Sequence, residues 1–129
     1  MIRVLVTGGR DLADRELVYA ALDWVRTVFG SGWTLMHGAA KGADQLAHEW
    51  ATSRGWAVER HPAEWALHGR AAGVLRNDRM VRLRPILCVA FPGGSGTADC
   101  RERVERAGIP LFEAVRVDGR PVVRRVDGE

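Results

Sequence analysis

Pro92-Gly93-Gly94-Ser95-Gly96-Thr97 constrains this chain more than any other stretch, because of what stands on either side. Ile86 to Phe91 is a continuous apolar run of strand length, and Ala98 to Val104 reads as the opening of a helix. Glycine turns with positive φ and lets the backbone approach a bound group closely. A helix start adds unpaired N–H groups and the positive end of the helix dipole. Strand, clustered glycines and helix N-terminus together make an anion site. The anion expected is a phosphate, and the ligand therefore a nucleotide.

The same alternation runs through the whole chain. Ile2 to Thr7 reads as a strand ending in Gly8-Gly9-Arg10-Asp11. Apolar residues at helical spacing (Leu17, Val18, Ala21, Leu22, Val25, Val28) predict a helix over 14–29, stopped by Gly30-Ser31-Gly32. Trp33 to His37 reads as a second strand, 43–54 as a helix and Trp56 to His61 as a third strand. Residues 62–73 are irregular and read as a loop before a helix over 74–83 that Pro85 stops. Strand 86–91 and helix 97–107 follow. Leu111 to Val117 and Pro121 to Val126 flank Asp118-Gly119-Arg120, a hairpin signal.

Strands alternating with helices imply a parallel sheet with right-handed crossovers. The expected fold class is α/β: one domain over 1–129, three layers, a mainly parallel sheet of order 3-2-1-4-5 and a C-terminal β-hairpin extension. In such a sheet, ligands bind at the carboxyl ends of the strands where the strand order reverses, here between the first and fourth strands. The loops Thr7 to Asp11 and Pro92 to Thr97 follow those two strands. Topology and glycine placement therefore converge on one crevice.

Around it stand further candidates. Thr7, Gly8, Gly9 and Arg10 offer a hydroxyl, free backbone and a fixed cation; the bland alternative is a tight turn with Asp11 or Asp14 capping the helix. His37-Gly38-Ala39-Ala40-Lys41-Gly42-Ala43-Asp44 is a second βα loop in which Gly38, Lys41 and Asp44 could reach the same ligand. Alternatively Asp44 caps its helix and His37 is a buried strand end. Arg76 and Arg79, three apart, share a helical face with Asn77 between them and could grip a phosphate. A charge-laced exposed helix explains them equally well.

Composition excludes more than it selects. A net charge of +3 and a pI of about 9.5 suit an anionic ligand, but Lys41 is the only lysine, so the balance suits an arginine-rich proteome too. The longest apolar runs are strand-sized, and Met1-Ile2-Arg3 leads into a strand without a secretory signal, so no membrane span and a cytoplasmic protein are expected. Cys88 and Cys100 then read as free thiols. His37, His48, His61 and His68 show no metal-ligand spacing with them, so no metal is expected. Ser95 lacks the glycine that a nucleophile elbow needs, and Asp99 stands where a GxGxxG pattern would have its third glycine. The five Trp residues mostly occupy core-type positions, which weighs against a nucleic-acid stacking face.

Taken in order, Thr7-Gly8-Gly9-Arg10-Asp11, His37-Gly38 through Gly42-Ala43-Asp44, Arg76-Asn77 with Met80, and Phe91-Pro92-Gly93-Gly94-Ser95-Gly96-Thr97-Ala98-Asp99 resemble the YspA-related family of the SLOG superfamily. That Rossmann-like group includes the LOG phosphoribohydrolases and the DNA-processing protein DprA. The resemblance covers residues 1 to about 112. It implies a bacterial or phage protein that binds nucleotides or nucleotide-derived ligands such as ADP-ribose. LOG enzymes cleave the N-glycosidic bond of nucleoside 5′-monophosphates with an arginine and with the glutamate of a PGGxGTxxE pattern. Here that glutamate position holds Cys100, and a thiol cannot stabilise an oxocarbenium-like transition state as a carboxylate does. Asp99 is adjacent but rotated by roughly 100°.

Three readings follow. The first is a nucleotide-binding, sensor-like module without metal or redox cofactor, with Gly93, Gly94, Ser95, Gly96 and Thr97 cradling a phosphate. Pro92, Thr7, Gly8, Gly9, Arg10, Gly38, Lys41, Asp44, Arg76, Asn77 and Arg79 would complete the binding set. The second is a LOG-like hydrolase with Asp99 and Arg76 catalytic. The third is a DprA-like binder of single-stranded DNA. A homodimer is suggested only by analogy with LOG proteins.

Overall fold

The central strand segments Val4–Val6, Leu35–Met36 and Leu87–Ala90 are unbroken apolar runs, which a sheet tolerates only when both its faces are covered. Successive side chains go to opposite sides: Val4 and Val6 join one core cluster while Leu5 joins the other. Leu35 and Met36 part in the same way, as do Leu87, Val89 and Phe91 from Cys88 and Ala90. A computed structural model describes residues 1–126 and realises this as three layers. Residues 127–129, part of the one-domain reading, lie outside the described residues.

The strands are β1 (Arg3–Thr7), β2 (Thr34–His37), β3 (Val58–Arg60), β4 (Leu87–Ala90), β5 (Leu111–Val117) and β6 (Arg120–Arg125). They form one sheet of order β3-β2-β1-β4-β5-β6. The expected order 3-2-1-4-5 holds, and β6 adds a sixth strand antiparallel to β5. All other pairings are parallel. Asp118 and Gly119 turn that hairpin with φ of 50° and 77°, the conformation a two-residue connection of matching twist requires.

Helices α1 (Arg15–Phe29) and α2 (Ala43–Ser53) cover one face. Their core is Leu17, Leu22, Leu46 and Trp50, with Trp33 stacked on Trp50 at 5.8 Å. Helices α4 (Ala72–Arg82) and α5 (Ser95–Arg106) cover the other through Met80, Cys100 and Val104. Asp14 is the N-cap of α1, its carboxylate accepting from Leu17 N–H at 3.2 Å. Arg116 on β5 pairs with the same carboxylate and with Glu16, fastening the hairpin to the start of α1.

Two local expectations need correction. Residues 62–73 are not a plain loop: α3 (Trp65–His68) and a 3₁₀ turn (Gly69–Ala71) lead directly into α4, which begins at Ala72. No residue of α3 is buried, so no apolar periodicity marks it. Helix α5 begins at Ser95, two residues earlier than expected, with Gly94 as N-cap and Ala98 N–H closing the first turn on Gly94 O. No described helix is long and apolar enough to cross a membrane.

Candidate functional site

A cavity of about 940 Å³ opens at the carboxyl ends of β1, β2 and β4. Three βα loops build it. The first, Thr7 to Asp11, lies in the middle and is tied to both neighbours: Gly9 N–H donates to Pro92 O at 2.8 Å, and Ala43 N–H donates to Gly9 O at 3.1 Å. These contacts require glycine. A Cβ on Gly93 would stand 2.7 Å from Gly9 N and 2.8 Å from Thr97 Cβ. Gly42, at φ 75°, would drive a Cβ into the backbone of Gly9 and Arg10.

The third loop delivers the start of α5 to the cavity. Pro92, Gly93, Gly94, Ser95 and Gly96 are exposed on its wall and Thr97 is buried there. The first turn of a twelve-residue helix presents N–H groups with no intrahelical partner, and its dipole favours an anion at that end.

Opposite the glycines, α4 supplies cation and amide. Arg76 is half-buried, donates through one guanidinium nitrogen to Gly38 O and through Nε to Asn77 Oδ1 at 2.9 Å. Burial, opposed by the nearby Asp44 carboxylate, pulls its pKa below the ordinary arginine range. Asn77 spans to α5, its Nδ2 donating to Gly96 O at 3.2 Å and to Asp99 Oδ2 at 3.1 Å. Asp99 also accepts from Arg103 Nε at 3.0 Å, so its carboxylate lies on the wall but is held from two sides.

The second loop is organised by a carboxylate. Asp44 does not cap α2, because Gly42 is the N-cap and no side chain bonds that end. Asp44 Oδ2 instead reaches back and accepts from the N–H groups of Gly38 at 3.1 Å and Ala40 at 3.2 Å. Burial pushes its pKa up to about 6 against the pull of those two bonds and of Arg76 and Arg10. His37, at the end of β2, is buried as the blander reading expected. Its Nδ1 accepts from Ala39 N–H at 2.9 Å, which leaves Nε2–H to donate to His48 Nδ1 at 3.0 Å. Burial, followed by repulsion from His48, lowers its pKa to about 4.

Thr7, Gly8, Gly9, Arg10, Gly38, Asp44, Arg76, Asn77, Asp99 and the segment from Pro92 to Thr97 thus share one wall. Lys41 and Arg79 do not. Lys41 is exposed off the cavity, and Arg79 turns away to His61 Nδ1 at 3.3 Å and Pro62 O at 3.4 Å. Residues three apart on a helix need not reach one ligand when one of them is held by partners elsewhere. Cys100, at the LOG glutamate position, is fully buried with Leu5, Met80 and Cys88 and is not on the wall. The Cys88 thiol, hydrogen-bonded to the free Cys100 thiol and buried, is held protonated well above its usual range.

Sequence reasoning missed Trp65, Arg70, Asp11 and Val74, all on the wall. Trp65 is 47% exposed, with the Arg10 guanidinium 5.1 Å above its ring. It departs from the core placement expected of the tryptophans, which Trp33 and Trp50 do follow. Its only local signal was an aromatic in a segment without apolar periodicity.

A model of the family described as YspA, cpYpsA-related SLOG matches residues 2–68. The chain is 43% identical over 119 residues to the gene 61 protein of Mycobacterium phage D29, spanning 87% of this chain and 95% of that protein. The X-ray structure of TM1055, a structural-genomics target, has the same fold: its TM-score is 0.68 at 20% identity, over 86% of this chain and 72% of that one.

Proposed function

The chain belongs to the YspA, cpYpsA-related SLOG family, and from that premise we propose that it binds a nucleotide or nucleotide-derived ligand at the switch point of its sheet. The phosphate would sit on the backbone of Gly93 to Thr97, across from Gly8, Gly9 and Arg10, with Arg76 supplying charge from α4. One observation carries the reading. The bond from Gly9 N–H to Pro92 O, at 2.8 Å, closes two glycine loops together beside the first turn of α5. Backbone amides, a helix dipole and an incompletely occupied guanidinium converge there, which is the donor set a phosphate needs. Lys41 and Arg79 lie off the wall and have no part in this reading.

The test is a thermal-shift screen with AMP, ADP, ATP, ADP-ribose, NAD and cyclic dinucleotides, followed by calorimetry on each positive. At a ligand concentration one hundred times Kd, the protein gains about 2.7 kcal/mol of stability, which a melting curve reads as an upward shift of several degrees. No shift with any of them would remove the phosphate reading.

Asp99 on the wall supports a second reading, an N-glycosidic hydrolase. Its carboxylate is partly occupied by Asn77 and Arg103, and position 100 offers only a buried thiol. Chromatographic detection of free base released from a nucleoside monophosphate, and lost in Asp99→Asn, would favour it over binding alone.

A further inference from the structure

Asp44 is 5% exposed, yet only one of its carboxylate oxygens is occupied, Oδ2 by Gly38 and Ala40. Oδ1 is the one buried side-chain polar atom without a hydrogen-bond partner among the described residues. A bare carboxylate oxygen in a protein interior is expensive, and native folds rarely leave one without a donor. Asp44 lies on the cavity wall. The missing donor is therefore one that a ligand can bring.

The surroundings select its chemistry. The Arg76 guanidinium is bonded to Gly38 O, beside the amide that Asp44 accepts from, so Asp44 already has a cation close by and a neutral donor suffices. Position narrows the choice further. Ala43, the neighbour of Asp44, is bonded to Gly9 O, so the carboxylate stands beside the first glycine loop, at the end of the strand next to β1. The phosphate loop follows β4, on the other side of β1, so the carboxylate stands two strand spacings from it, about 9.6 Å at about 4.8 Å each. A sugar phosphate hydrogen-bonded at both ends spans a distance of that order, with about 3 Å of it in each hydrogen bond. The neutral donor at that reach from a loop-bound phosphate is a sugar hydroxyl.

We propose that Asp44 Oδ1 accepts a hydrogen bond from a pentose hydroxyl of the bound phosphate ester, so that the site selects ribosyl phosphates over their deoxy counterparts. The proposal rests on the phosphate reading of the cavity given above. Asp44→Asn is a close probe of it. The amide oxygen can still accept from Gly38 and Ala40, while the amide nitrogen replaces Oδ1, so the hydroxyl loses a charged acceptor and can only accept a neutral hydrogen bond in its place.

Calorimetry should compare ribose 5-phosphate with 2-deoxyribose 5-phosphate, and AMP with 2′-deoxy-AMP and 3′-deoxy-AMP. On the unaltered protein, the analogue lacking the contacted hydroxyl is expected to bind about tenfold more weakly or worse, the usual worth of a hydrogen bond to a charged group. In Asp44→Asn that gap should shrink severalfold, because AMP exchanges a hydrogen bond to a charged group for a neutral one while the deoxy analogue loses nothing. Equal affinity of the unaltered protein for all three adenylates would overturn the assignment and leave the phosphate cavity standing, and this comparison needs no variant to fold. A gap that persists undiminished in Asp44→Asn would overturn it too, by placing the hydroxyl contact elsewhere. If no phosphate ester binds, the phosphate reading fails and the hydroxyl contact with it.

Discussion

Asp44 is where folding and binding pull in opposite directions. A carboxylate buried beside two backbone amides, with one oxygen bare, destabilises the fold whenever it is ionised. Its folded pKa of about 6 lies above the ordinary 3.8. A raised pKa means that the native state holds the proton more tightly, so the favourable contribution is complete below 3.8 and is lost as pH rises through 6. Asp44→Asn removes that titration. The stability of the variant minus that of the unaltered protein should therefore grow by about 2 kcal/mol between about pH 4 and pH 7, measured by urea denaturation. A flat difference would mean that Asp44 ionises freely in the folded chain. Its place in the His37-to-Asp44 motif marked it as a candidate, but a motif cannot say which oxygen is occupied. Trp65 was hidden for the converse reason: it belongs to no periodic pattern, and only the turn into α4 brings it over Arg10.

Among the elements, the β4–α5 connection is held tightly. The atoms that a Cβ on Gly93 would meet, Thr97 Oγ1 and Cβ and Gly9 N, belong to a buried side chain and to backbone and cannot give way. Gly93→Ala should lower stability by about 1–3 kcal/mol, the range of overpacked sites, and should abolish ligand-induced stabilisation by prising the two loops apart. Gly96→Ala is the contrasting case. It lies in the first turn of α5, where an added Cβ would meet nothing within 4 Å, so helix propensity should raise its melting temperature slightly. Paired melting curves of the two variants separate close approach from simple glycine content. Loop length and glycine spacing announced this connection in the sequence. That the helix starts at Ser95, two residues early, followed from the Gly94 cap, for which no side-chain signal exists.

At the scale of the molecule, the site and the hairpin lie apart. The cavity sits around β1, β2 and β4, whereas β6 closes the far edge of the sheet beyond β5. Deleting residues 119–129 removes β6, its packing on α1 and the contact of Val123 with the core, and exposes the edge of β5. The shortened chain should melt several degrees lower yet bind AMP with unchanged Kd. A parallel loss of affinity would show that the hairpin supports the cavity after all. The alternation of strands and helices, the strand order and the meeting of two glycine loops at one crevice were all legible along the chain. They follow from local periodicity, from glycine's lack of a Cβ and from the handedness of crossovers, which are properties of short segments. Packing had to settle the rest: that Arg76 faces the cavity while Arg79 leaves it for His61, that Cys100 is buried in the core, and that Asp44 keeps an oxygen free. Side-chain direction and burial depend on the elements packed against a residue, and those come from far along the chain.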